Sequence, residues 1–279
     1  MVTTRKDKLV KLLTTLLVAA LALLFISPLL WMVSTSLKRN SEVFAQPFHW
    51  IPEDPSLSNY AEVWFEEGVN MLHAYRNSFI IVFFSVTGSL IIASLAAYAF
   101  AKINFKGKNA IFMLFLSSMM IPSQTTLVPR FMLFKTMGLY NSLWAIILPG
   151  LFSATAIFML RQFYMGLPND LMEAAKIDGA GHFRIFAQIM LPLTKAALIS
   201  LMILSFISNW NEYLSPLIFI TKKELYPVSL TIRWWMLEDA SDYAKVMAAS
   251  TSAIVPVVIL FASCQKYFVE GIATSGVKG

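Results

Sequence analysis

The chain has 279 residues, 57% of them hydrophobic and 14% charged, with a formal net charge of +6. Soluble domains carry roughly 45–50% apolar and about 25% charged residues, so an ordinary water-soluble fold is excluded. The basic excess needs no nucleic acid to explain it, because membrane topology and anionic lipid suffice. A lone Cys264 excludes an internal disulfide, and its place in an apolar run reads as a small buried hydrophobe.

Uncharged runs cover 12–37, 77–101, 109–129, 136–160 and 246–265, and one further run, 196–221, is interrupted only by Glu212. A helix needs about 20 mostly apolar residues to cross the hydrocarbon core. The expected fold is therefore an all-α integral membrane protein with spans at about 12–33, 78–101, 109–129, 140–160, 196–220 and 246–266. These form a membrane domain at 12–268, preceded by an N-terminus at 1–11 and followed by a tail at 269–279.

The first run follows Arg5, Lys6, Lys8 and Lys11. It is longer than the 7–15 residues or so of a signal-peptide core and lacks a convincing small-x-small cleavage site, so it reads as a retained anchor. Residues 38–76 mix prolines, acids and aromatics, including Trp50, Tyr60 and Trp64, with a short helix expected from Leu57 to Glu67 behind Ser56 or Ser58. The turn at 102–108 carries Lys102, Lys106 and Lys108, and short basic loops mark the cytoplasmic side. With both termini inside, thirteen basic residues fall inside and nine, including Lys38 and Arg130, fall outside.

The longest inner stretch is 161–195. Pro168-Asn169-Asp170 reads as a helix start, with Asp170 as N-cap and Glu173 as its capping-box partner. Gly179 supplies a left-handed stop. A second short helix from about His182 to Met190 presents Phe183, Phe186, Ile189 and Met190 along one side, and Pro192 separates it from the fifth span. The product is a slim two-helix knob, narrowed by Ala174 and Ala175, suited to a groove on another protein.

The fifth span carries Asn209-Trp210-Asn211-Glu212-Tyr213. Glu212 lies about sixteen residues in, roughly 24 Å from the inner end. Solvation near the outer face and a role in a solute path both fit, and in the second reading Trp210 and Tyr213 offer flat faces to a solute ring. Further on, 222–245 holds Trp234, Trp235, Glu238, Asp239 and Asp242. Interfacial anchoring and docking of an extracytoplasmic partner are both open there.

Glu173-Ala174-Ala175, Asp178-Gly179, and then Ile189, Leu191 and Pro192 complete the pattern E-A-A-x-x-x-G-x9-I-x-L-P. Pro28-Leu29-Leu30-Trp31-Met32, Ser36-Leu37-Lys38, Leu57-Ser58-Asn59-Tyr60, the fifth-span stretch and Tyr267-Phe268-Val269-Glu270-Gly271 follow in matching order. In these features the chain resembles the inner-membrane permease subunit of a carbohydrate-uptake ABC importer, and is most similar to the shorter, six-span permease of the maltose type. The resemblance implies that the 161–195 loop is a coupling helix docking on an ATPase dimer. It implies a second homologous permease and an extracytoplasmic solute-binding protein facing Trp234, Trp235, Glu238 and Asp239. It also lays the tail against the ATPase pair and leaves open a polyol or glycerol phosphate as solute.

A self-powered secondary transporter would need ion-coupling charges deep in its spans and would commonly show repeats; Glu212 alone qualifies. The chain has no H-E-x-x-H, no G-x-S-x-G and no G-x-x-x-x-G-K-[ST], and His49, His73 and His182 are scattered. No catalytic residue, metal site or cofactor site is therefore expected, with ATP and magnesium assigned to the partner ATPase.

Overall fold

The structure, a computed structural model, describes residues 5–47, 49–238 and 242–276, with side chains described from Lys6 to Lys266. Asp239, the side chains of the tail stretch from Tyr267, and residues 277–279 lie outside it. Among the described residues every regular element is helical. Four helices are long and apolar enough to cross a membrane, Lys6–Ser36, Met71–Lys102, Trp144–Gly166 and Tyr243–Lys266, and the number reaches six if each of two bent helix pairs counts as one span.

The chain divides into two compact units. The first comprises residues 1–71 and 232–255. Its main element is α1, Arg5–Ser36, whose apolar side chains stay exposed, Leu17 at 61% and Phe25 at 75%. A helix of this length spans about 48 Å, and an apolar surface on every side suits a solvent of lipid tails. Beyond α1, Asn59 in α2, Ser58–Phe65, donates from Nδ2 to the carbonyls of Ser36 and Lys38 at 2.9 and 2.8 Å. The Tyr60 and Ser36 hydroxyls meet at 2.7 Å, and the Ser56 amide donates to Leu37 O at 2.9 Å. Two stretches that the sequence could only place in order thus satisfy the open C-terminal carbonyls of α1. The expected helix starts at Ser58, whose amide donates to Ser56 Oγ at 3.1 Å. Lys38, assigned to the outer surface, is only 2% exposed and donates to the His49 carbonyl at 2.5 Å.

The second unit comprises residues 72–231 and 256–279. It contains α3, Met71–Lys102, from its second residue, followed by α4, Lys108–Ser118, and α5, Leu127–Thr136. Then come α6, Trp144–Gly150, α7, Ala154–Gly166, α8, Asp170–Ile177, α9, His182–Ile185, and α10, Leu191–Leu193. The helices α11, Lys195–Trp210, and α12, Leu214–Phe219, follow. Two further helices run across both units, α13, Val228–Glu238, and α14, Tyr243–Gly276. Small buried residues repeat along one side of α3 at Ser85, Ser89, Ala93 and Ala97, the spacing that lets helices approach closely in lipid. Leu160, Tyr164, Ile185, Met190 and Leu201 pack against this side of the unit in one cluster.

The run expected as the third span, 109–129, is broken. The helices on either side of Pro122 meet at 90°. Pro122 brings no amide to continue α4, and the hydroxyls of Thr125 and Thr126 bond back to Pro122 O and Ser123 O at 2.7 and 2.8 Å.

Candidate functional site

The knob is held from two directions. From Gly166 the chain passes through Leu167, Pro168 and Asn169 into α8. Asp170 is the first helical residue, not the N-cap, which is Asn169, and Asn169 makes no side-chain cap bond. Its Oδ1 is taken by Lys102 Nζ at 2.7 Å, and the same ammonium donates to Leu167 O at 2.7 Å. Glu173 is exposed, as are Ala174, Asp178 and Gly179, while Met172 and Ala175 turn inward at 4% and 9% exposure.

The end of α8 is a Schellman motif. The amides of Gly179 and Ala180 donate to Lys176 O and Ala175 O at 3.0 and 2.9 Å, and Gly179 has φ of 77°. A Cβ added there would meet nothing within 4 Å, so glycine is required by backbone conformation and not by space. Past Gly181, α9 passes into a π-helical turn, Phe186–Met190, and then α10. Ile185, Phe186 and Met190 are buried, and Ile189 and Leu191 partly so. Phe183, expected on the same side, is 75% exposed. Pro192 does not make the break to the next span. It lies in the first turn of α10, where its missing amide costs nothing. The break falls at Thr194, where the helices bend by 77° and the Thr194 hydroxyl donates to Met190 O and Leu191 O.

Three large apolar side chains and two carboxylates of the knob are exposed. Leu171, Ile177 and Phe183 are 42%, 87% and 75% exposed, and the carboxylates are Glu173 and Asp178.

A separate cavity of about 310 Å³ opens between α5, α6, α11 and α12. Gln124, Arg130, Asn209, Glu212 and Ser215 supply its polar lining. Glu212 Oε1 accepts the Ser215 amide at 2.8 Å, and Arg130 Nη2 donates to Ser215 Oγ at 3.4 Å. Arg130 Nε is buried without a hydrogen-bond partner among the described residues. Gly150 lets α6 come close: a Cβ there would lie 2.7 Å from Ser85 Oγ and 3.2 Å from Asn209 Oδ1.

Of the five fifth-span residues singled out in the sequence, Asn209 and Glu212 line this cavity. Trp210 does not: it is 3% exposed, stacked on Phe206 and packed edge-on or tilted against Tyr75 and Phe79. Asn211 is exposed and bonded to Ile207 O at 2.9 Å, and Tyr213 is also exposed. Arg130 was missed because its position beyond an apolar run counts as outside, and only the Pro122 bend brings it to the cavity.

At the other candidate surface, Trp235 is 3% exposed, with Trp234 edge-on at 4.9 Å and Lys245 5.8 Å from its ring. The exposed residues are Met236, Leu237 and Glu238. Trp235 is thus a packing residue of the first unit, and an outer contact there would use the residues after it.

Binding-protein-dependent transport system inner membrane components, as a family, match residues 71–274. The chain belongs to this family. The arabinooligosaccharides transport system permease protein AraQ of Bacillus subtilis is 35% identical over 95% of this chain and 95% of its own length. The sn-glycerol-3-phosphate transport system permease protein UgpE of Escherichia coli is 32% identical over 94% of this chain and 95% of its own. A solved bacterial ABC transporter, involved in the import of the acidic polysaccharide alginate, contains a chain with the same fold. It superposes with a TM-score of 0.84 at 24% identity, covering 95% of this chain and 98% of that one. As a member of the family, the chain is an inner-membrane permease component of an ABC importer, and the knob and the cavity are features of that permease.

Proposed function

We propose that this permease forms half of the translocation path for a sugar of oligosaccharide size, and that its 161–195 loop is the cytoplasmic coupling element. The complex would hold a second homologous permease, a pair of ATPase subunits and an extracytoplasmic solute-binding protein. ATP and magnesium would be bound by the ATPases, and both termini of this chain would be cytoplasmic. The knob carries the reading: an eight-residue helix with a glycine-dependent end, exposing Leu171 and Ile177 on the element that carries Glu173, with Phe183 exposed on α9. That is the form of a helix that fits a groove on another protein.

The cavity supports a neutral solute. Its one guanidinium, Arg130, is matched by one carboxylate, Glu212, and the remaining polar groups are amides and hydroxyls. Such a lining donates to and accepts from sugar hydroxyls with no net charge, whereas a phosphate ester calls for a surplus of positive charge. The similarity to an arabinooligosaccharide permease agrees, and the similarity to a glycerol-phosphate permease sets the rival solute.

Two experiments separate these statements. Glu173→Lys and Gly179→Asp each abolish uptake and ATPase co-purification while membrane insertion persists; normal co-purification and uptake would remove the docking role. Cells carrying the complete transporter take up labelled arabinooligosaccharide in preference to sn-glycerol 3-phosphate; uptake of the phosphate alone would reverse the solute assignment.

A further inference from the structure

The start of α8 is tied to α3 by Lys102, which donates at 2.7 Å to both Leu167 O and Asn169 Oδ1. The start of α9 is tied to α3 by Tyr98, whose hydroxyl lies 3.2 Å from His182 Nδ1. The two ties fall on either side of α8. Tyr98 and Lys102 are four residues apart, hence one turn apart on the same side of α3.

A terminal lysine would ordinarily satisfy the last carbonyls of its own helix. Here other cations do so. Arg161 from α7 donates to Phe100 O at 3.2 Å, and Lys108 donates to Ala101 O and Ile103 O at 3.4 and 3.0 Å. That leaves Lys102 directed at the knob. α8 needs such a tie because it buries only Met172 and Ala175, whereas Ile185, Phe186 and Met190 already hold the rest of the knob in the core.

We infer that Lys102 and Tyr98 are positioning residues that make the knob and the last turn of α3 one rigid body. Displacement of the knob by its partner then moves α3 directly. This rests on the docking reading of the knob. It adds which span receives the motion and through which atoms. Ser85 of α3 packs against Gly150, which lines the cavity, so α3 touches an element of the second site without lining it.

The test uses the assembled transporter in lipid vesicles, with Cys264→Ser as background and spin labels at Lys106, beyond α3, and Lys176, on α8 next to its buried side. With both ties present, the label separation stays constant between the nucleotide-free and ATP-bound states. In Lys102→Met combined with Tyr98→Phe, the separation changes between those states by more than about 2 Å, the scale of helix shifts. Lys102→Arg restores the constant separation. Asn169→Ala, which removes one acceptor on an exposed loop, widens the distribution without disturbing the spans.

A constant separation in the double variant, with the ATPase still bound, overturns the inference. Loss of ATPase binding in that variant alone also overturns it, since the ties would then shape the docking surface and not transmit its motion. Failure of the wild-type permease to hold the ATPase would instead defeat the docking reading.

Discussion

Neighbouring residues of the fifth span have opposite roles, and burial separates them. Trp210 packs against three rings, so Trp210→Ala should cost roughly 3–5 kcal/mol and lower the thermal stability of the detergent-solubilised protein. Tyr213→Ala, at an exposed position outside the cavity, should leave that stability unchanged. The cavity is read through Arg130, whose charged hydrogen bonds are worth about 1.5–3 kcal/mol. Arg130→Gln should therefore reduce sugar uptake by about tenfold while expression and ATPase binding stay normal. Unchanged uptake would remove Arg130 from the solute path. The sequence shows that Asn209, Glu212 and Gln124 are polar groups in apolar surroundings, because charge and polarity are local properties. Which of them face a common space depends on the bends at Pro122 and at residues 211–213, and hydropathy does not give the angle of a bend.

At the scale of elements, the capping and glycine signals at the knob are legible because they are short-range chemistry. Gly179 has the left-handed backbone its position after α8 predicts. Gly179→Val places a β-branched side chain in that conformation at a cost of about 1–2 kcal/mol, and α8 should lose its fixed end. Amide exchange across 173–180 should rise in that variant and stay unchanged in Gly181→Ala, whose Cβ meets nothing within 4 Å and whose φ is negative. The N-cap is less legible: Asn169 is drawn away from capping by Lys102, a residue 67 positions earlier. The π-helical turn and the break at Thr194 also escape sequence reading, since they depend on which residues pack inward across several helices. Gly150 shows the same limit. Its need for glycine comes from Ser85 and Asn209 on other helices, so Gly150→Ala should overpack the junction and destabilise by about 1–3 kcal/mol, seen as a lower melting temperature. An unchanged melting temperature would show that the junction can relax.

For the whole molecule, composition alone establishes a polytopic helical membrane protein, because the cost of burying charge in lipid is written into every span. Length and hydropathy specify less about continuity. Four described helices are long enough to span unaided, and the number reaches six only if each of two bent pairs counts as one span. On the proposed reading, what drives the permease is carried by one loop, whereas the solute meets a cavity that a second permease would complete. The central claim is that the knob is where energy enters. The most direct measurement is co-purification of the ATPase, together with ATP-dependent uptake, for Glu173→Lys in the full transporter at normal membrane levels. The structure predicts loss of both, because a reversed charge is placed on the exposed side of α8. Retention of both, at wild-type levels, would contradict it.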